Sequence, residues 1–347
     1  MNDDEILNLI WRSKESMPKA NAVLGVISFD SGPQRKLTLD ERCVCIHSRH
    51  RQLRAAMCLL TAFFIASTAL PCRAAQPDPL TAPITSPYAA QWLRPVTPVR
   101  IHGDTYYVGF GGLSVVLIRT SAGLILIDGA LPQSVAALEA NLRQLSFDVK
   151  DVRAIFNTEA HFDHSGGIAA LARDSGADIM ASATGAEALR RGRVREDDPQ
   201  SGEIDDCPAV TRVRAMSDGE TWTLGGTTIT AHATPGHTPG SMSWSWVSCE
   251  GSRCVNVVFG ASLNAVSRNS YHFGDAAHLA ALVNFRNGIA RFSELPCDIL
   301  VTAHPDHSGF EQKLASGAFV DPQACRNYAV KYAEKLDARL AKEAAAK

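Results

Sequence analysis

Glu159, His161, Asp163 and His164 crowd into one short run, Asn157–Gly167 (NTEAHFDHSGG). An isolated histidine usually lies on the surface or in a satisfied core. Imidazoles and carboxylates packed this tightly after a strand can instead point at a common centre, and zinc takes both kinds of donor readily. Two further histidines sit in turns shaped by glycine and proline. They are His237 in Thr234–Ser241 (TPGHTPGS) and His304 in Thr302–His307 (TAHPDH). The six side chains suffice for two metal sites. A zinc ion lowers the pKa of its bound water toward about 7, so this set implies hydrolysis by an activated water, with no side chain that must become acylated.

These residues need strands and turns to place them. Thr105–Val108, Leu113–Arg119, Leu124–Asp128 and Val152–Asn157 are aliphatic, β-branched runs separated by glycines, and predict strands. Pro132 opens a helix whose Val135, Leu138, Leu142 and Leu145 share a face. Loop 158–166 follows, then an Ala/Leu helix to about Arg173 and a strand over Asp178–Ala181. The polar, charged stretch 190–208 predicts a surface loop. Thr221–Thr230 and Ser241–Val247 predict hairpin strands, and Val255–Phe259 and Ile299–Thr302 two more. Leu279, Leu282, Phe285, Ile289 and Phe292 mark an amphipathic helix, and Tyr328, Tyr332, Leu336 and Leu340 a final one. Strands and helices recur in two similar halves, which predicts an α/β fold of the four-layer αβ/βα sandwich type.

Lys and Arg number 34 against 36 Asp and Glu, a net charge of −2 with no basic stripe. That removes the electrostatic basis for nucleic-acid binding. Nine cysteines are too few to scaffold a chain of this length, so folding rests on a core. Arg49, Arg51 and Arg54 precede the apolar run Leu59–Leu70, and Pro71, Cys72, Arg73 and Ala74 follow. Basic start, short apolar run and small-residue exit predict a signal peptide over 49–75, cleaved after Ala74 or Ala75. The run is short for a span, which needs about 20 apolar residues. Residues 1–48 receive no fold, and an over-extended gene start would account for them. Residues 76–98, rich in Pro, Thr and Ala, predict an extended arm at the start of one domain running from 76 to 347.

The pattern E-x-H-x-D-H, then G-H-T-P-G-S, then A-H-P, resembles the metallo-β-lactamase superfamily over roughly residues 100–340. Ile101–Val108 (IHGDTYYV), Gly123–Gln133 (GLILIDGALPQ), Asp197–Gln200 (DDPQ) and Ser248–Cys254 (SCEGSRC) resemble class B β-lactamases of the third subgroup. The resemblance implies two Zn2+ ions per chain, one on Glu159, His161 and His237, the other on Asp163, His164 and His304. Asp163 would also orient the nucleophile catalytically. Asp128 would support the zinc loop from behind, and Ser262 and Asn264 in Gly260–Asn264 (GASLN) would bind the substrate carboxylate. It further implies small-molecule β-lactam substrates, a monomer, a periplasmic location without stable membrane association, and disulfides Cys249–Cys254 and Cys297–Cys325. The first would close a short loop, and the second would tie the strand before His304 to the final helix.

Glu159 departs from the family, which usually has histidine there. Glutamate can ligate zinc, but its charge would leave the bound water less acidic. Related thioesterases and lactonases typically carry a bridging aspartate in the segment matching Gly260-Ala261-Ser262-Leu263. Its absence counts against those activities. A non-catalytic zinc-binding protein is the alternative should Glu159 disable the first site.

Overall fold

The computed structural model describes residues 76–346. The expected signal peptide, the stretch 1–48 and Cys43, Cys45, Cys58 and Cys72 lie outside the described residues. The first sheet holds β1 (Val99–His102), β2 (Thr105–Tyr107), β3 (Val116–Thr120), β4 (Gly123–Ile127), β5 (Val152–Phe156), β6 (Asp178–Ser182) and β7 (Arg214–Met216), ordered as in the chain. β1 to β4 are antiparallel, and β4 to β7 run parallel. The second sheet holds β8 (Thr221–Leu224), β9 (Thr227–Ala233), β10 (Met242–Glu250), β11 (Arg253–Gly260) and β12 (Ile299–Thr302). Its order is β12-β11-β10-β9-β8, with only the β11–β12 pair parallel. The helices are α1 (Ala89–Trp92), α2 (Val135–Gln144), α3 (Phe162–Ser165), α4 (Ile168–Ser175), α5 (Ala183–Arg191), α6 (Leu279–Ser293), α7 (Phe310–Ser316) and α8 (Ala324–Ala345).

Strand alternation builds four layers. In β4, Ile125 and Ile127 face the second sheet, where they join Trp244, Val257, Phe259, Ile299 and Val301 in a fully buried inter-sheet core. Leu124 and Leu126 of the same strand point the other way, onto Val135, Leu138 and Leu142 of α2 and Ile168 and Leu171 of α4. Across the molecule, Val258 and Leu300 face outward onto Phe285, Ile289 and Phe292 of α6 and Tyr328, Tyr332 and Leu336 of α8. Side chains of period 2 on both faces of each sheet require a helix layer outside each.

Several expected elements differ in detail. The expected strand Thr221–Thr230 is two strands, because Gly225 and Gly226 take φ of +52° and +88° and turn the chain back. The arm 76–98 is not extended throughout, since Ala89–Trp92 forms a helical turn that packs against the site. The stretch 190–208 begins inside α5 and turns Asp198 inward, to 2% exposure. α5, α7, β1 and β7 have no counterpart in the sequence reading. Two disulfides are present, Cys249–Cys254 joining β10 to β11 and Cys297–Cys325 joining the approach to β12 to α8. Cys207 is free.

The paired glycines of NTEAHFDHSGG have a steric reason. A Cβ on Gly167 would lie 2.2 Å from the Gly129 carbonyl oxygen, at the turn that ends β4. Gly167→Ala must therefore push two backbones apart, at a cost of about 1–3 kcal/mol. Thermal unfolding should show a lowered Tm for Gly167→Ala, and an unchanged Tm would show that this packing carries no weight.

Candidate metal centre

The ligand-type residues leave the ends of strands from both sheets and meet at one rim. β5 delivers Asn157 to His164, the β9–β10 connection delivers His237, and β12 delivers His304. Asp128 closes β4 with φ of +64°, a conformation rare outside glycine but accessible to aspartate. One of its oxygens accepts from the Thr158 backbone N–H (2.8 Å) and from Asn157 Nδ2 (3.1 Å), and the other from Thr158 Oγ1 (2.6 Å). The Thr158 carbonyl accepts in turn from Met242 N of β10 (2.8 Å). The loop is thus bound to both sheets before its candidate metal-binding residues begin.

Asp163 Oδ2 lies 3.3 Å from both His164 Nε2 and His304 Nε2, and those two nitrogens are 3.2 Å apart. His161 Nδ1 and His237 Nε2 are also 3.2 Å apart. A tetrahedral zinc with bonds of about 2.0–2.1 Å separates its donors by about 3.3–3.4 Å. The Asp163, His164 and His304 donors therefore fit one zinc, and the His161–His237 pair has the spacing of two ligands of another. Among the described residues, Asp163, His164 and His304 form the complete trio, with ligand atoms all within 4.8 Å of one another. Glu159 completes the other set less closely. Its Oε1 is 4.0 Å from His237 Nε2 and only 3.1 Å from His164 Nε2, so it lies between the two groups.

Three of the four ring nitrogens facing away from the centre are held, while His164 Nδ1 has no hydrogen-bond partner and lies 3.9 Å from Asp128 Oδ2. His237 Nδ1 donates to the Asn264 carbonyl (3.0 Å), and His304 Nδ1 to the Gly112 carbonyl (2.9 Å). His161 Nε2 pairs with Asp198 Oδ2 (3.2 Å). Such partners fix which nitrogen is left for the metal. Asp198 is not singled out as a site residue in sequence, where DDPQ carries part of the family resemblance within a polar, charged surface stretch. It is held inward by Arg268, which donates to the Asp198 and Ser201 carbonyls (3.1 Å each). Trp92 also escaped notice. Its ring lies 5.7 Å from that of His304 and 6.1 Å from that of Phe162, forming an apolar wall.

Ser262, expected at the substrate, is fully buried. Its hydroxyl donates to Glu159 Oε1 (2.8 Å) and its N–H to Glu159 Oε2 (3.0 Å), so both of its donors are engaged by Glu159. Asn264 is half-buried, with its Oδ1 unpartnered.

Burial pushes each of these ionisable groups toward its neutral form, and the neighbours decide the outcome. Burial raises Asp128 to about 7, with His164 and Thr158 pulling the other way. For Asp163, burial is outweighed by His164 and His304, which hold the carboxyl well below its usual range. Glu159 is likewise held low against burial, by His237, His164, His161 and Ser262. Burial opposes the charge on His164, yet Asp163, Glu159 and Asp128 raise it to about 10.

A sandwich with two groups of histidine and carboxylate donors at one rim defines a metal-binding hydrolase of the αβ/βα class. The sequence profile of the metallo-β-lactamase superfamily matches residues 108–248. A solved B3 metallo-β-lactamase, described as the first with an active-site glutamic acid, is 49% identical, with 77% of this chain and 99% of that one covered and a TM-score of 0.73. The Rm3 metallo-β-lactamase is 43% identical, with 75% and 99% covered and a TM-score of 0.73. A hydroxyacylglutathione hydrolase of Anaeromyxobacter dehalogenans is 30% identical over 207 residues, 59% of this chain and 65% of that protein. The chain spans 65% and 59% of the length of the curated relatives it matches. This chain belongs to the metallo-β-lactamase superfamily, and within it to the subclass B3 enzymes.

With its pKa near 10, His164 keeps its proton at neutral pH in the metal-free protein. That proton contributes to stability fully below the ordinary value of about 6.5, and the contribution is lost as pH rises toward 10. Zinc must displace it, so uptake at pH 7 should release about one proton or more per chain. Calorimetric titration of the metal-free protein in buffers of differing ionisation enthalpy measures this release. Zinc uptake with no proton release would contradict the assignment of His164.

Proposed function

We propose that this protein hydrolyses the amide bond of β-lactams with two zinc ions, one on Asp163, His164 and His304, the other on His161, His237 and Glu159. The single observation that carries the reading is the spacing of the donors, whose 3.2–3.3 Å separations suit adjacent ligands of one ion. Zinc there supplies a Lewis acid for the carbonyl and a water acidified toward neutral pH. The chain's own residues do the rest. Asp163 is held as a carboxylate, and an oxygen not engaged as ligand orients the attacking water and can take its proton. His161, His237 and His304 are fixed in rotation by Asp198, Asn264 and Gly112, which preorganises the site. Trp92 and Phe162 shield one side from water, and the amide of Asn264 beside His237 is the donor a substrate carboxylate meets.

The relative that hydrolyses hydroxyacylglutathione belongs to the same superfamily, but Gly260–Leu263 carries no carboxylate to bridge two metals. Export to the periplasm is part of the proposal. It is supported by the two disulfides, which persist in oxidising compartments, and no helix among the described residues is long and apolar enough to cross a membrane. Hydrolysis there would confer antibiotic resistance.

The purified protein should open a chromogenic cephalosporin, lose that activity on exhaustive chelation and regain it with zinc. Serine-directed inhibitors should not stop it, and turnover that survives chelation would overturn the reading. A second comparison isolates Glu159. Glu159→Ala should lose or weaken one zinc, whereas Glu159→His should keep two and gain activity, because a neutral ligand leaves the bound water more acidic. Zinc counted per chain and activity titrated against added zinc decide it. An alanine variant with two zincs and parental turnover would remove Glu159 from the ligand set.

A further inference from the structure

The seat of Glu159 is built by a helix that contributes no ligand. Ser262 lies just beyond the end of β11 and occupies both carboxylate oxygens of Glu159, through its hydroxyl and its N–H. Its two chain neighbours are gripped by one phenol. Tyr328 of α8 donates its O–H to the Ala261 carbonyl (3.1 Å) and accepts from the Leu263 N–H (3.1 Å). A strand neighbour would make the same pair of bonds, one to a carbonyl and one to an N–H two residues on. Here a side chain makes them, at the point where β11 has left the sheet. On the other side, the Ala261 N–H donates to Ser243 Oγ of β10 (3.1 Å). The phenol itself is enclosed on all sides by the fold. Tyr328 is buried, its ring packs at 5.4 Å on Phe292 and 4.8 Å on Tyr332, and the Cys297–Cys325 disulfide anchors α8 one turn earlier.

We propose that Tyr328 is a positioning residue for the metal centre, acting through Ser262 to hold the Glu159 carboxylate at the His161–His237 site. The proposal rests on the reading of Glu159 as a metal ligand. A histidine ligand is oriented by one bond at its far nitrogen, as His237 and His304 are. A carboxylate has no far nitrogen, and both its oxygens lie at the end of a flexible stem. It keeps one orientation only if something grips the oxygens themselves, and Ser262 does so with two donors. The hydrogen bonds of Ser262 and Tyr328 run to Glu159 and to the 261–263 backbone, and none runs to Asp163, His164 or His304. Loss of the seat should therefore weaken the step that Glu159 serves well beyond the other, which feels Glu159 only through its 3.1 Å approach to His164 Nε2.

The test is zinc binding to the full chain, resolved into its two steps by competition with a chromophoric chelator, for Ser262→Ala, Tyr328→Phe and the double variant. Removing an outer partner of a metal ligand costs about ten- to a hundredfold in affinity, and Ser262→Ala should show that loss in one step, with a clearly smaller change in the other. Tyr328→Phe keeps the ring and its packing. It removes both hydrogen bonds of the phenol and should weaken the same step by about three- to tenfold, less than their combined worth because the effect reaches Glu159 only through Ser262. The double variant should bind no worse than Ser262→Ala, because both residues act on one carboxylate. In a Glu159→His background, Ser262→Ala should cost nothing in that step. Unchanged binding in Tyr328→Phe would overturn the proposal, as would equal weakening of both steps, fully additive losses, or a lowered Tm with both steps intact. Glu159→Ala separates the two readings. If it retains both zincs, the ligand assignment and this proposal fall together. If it loses one while Tyr328→Phe loses none, only this proposal falls.

Discussion

Asp128 is a fully buried carboxylate at the end of β4, and its three accepted hydrogen bonds fix Asn157 and Thr158 before the ligand run begins. Everything at the site depends on where that run starts. Its donors span only residues 159–164, so a small rotation at Thr158 would move all of them together. A buried carboxylate with its oxygens occupied is rigid for the reason that it is costly, since any slackening leaves charge or polar groups unpaired in an apolar surround. The strained φ of Asp128 and Ala130 and the close approach of Gly129 to Gly167 belong to the same joint.

Around that joint the protein balances an excess of like groups. Neighbouring histidines hold the buried Glu159 and Asp163 as carboxylates, and neighbouring carboxylates raise His161 and His164, whereas burial pushes Asp128 up and His237 down, each toward its neutral form. Metal-free, the site substitutes protons for metal charge. Glutamate at 159 shifts this balance toward the anionic side, and in the proposed role of metal ligand its carboxylate has to be gripped at the oxygens themselves. Ser262, fully buried behind Glu159, meets that demand in this chain.

Much of the fold was legible in the residues because burial follows period. Ile299–Thr302 forms over the expected residues, and β4, β5, β10, β11, α2, α6 and α8 form close to where alternation or i, i+4 spacing placed them. Elements escaped where that signal was weak or short. β7 has one buried residue, α7 is capped by glycines with one buried phenylalanine, and α5 reads as alanines, arginines and a glycine. Such segments take their conformation from what they pack against rather than from their own pattern.

The sequence by itself determined which side chains could reach a metal, because the ligand types are packed into 159–164 and into the two short turns that carry His237 and His304. It also determined the two-sided apolar strands that demand a four-layer sandwich. Only the tertiary structure decided how those ligands divide and what holds them. Glu159 stands between the two groups, Asp198 turns out of a charged loop onto His161, and Ser262 gives both its donors to Glu159. Tyr328, 169 residues after Glu159 in the chain, grips the backbone behind it. Contacts of that range leave no periodic trace in sequence, since a single hydroxyl or carboxylate acquires its partner only when separate strands and helices have packed.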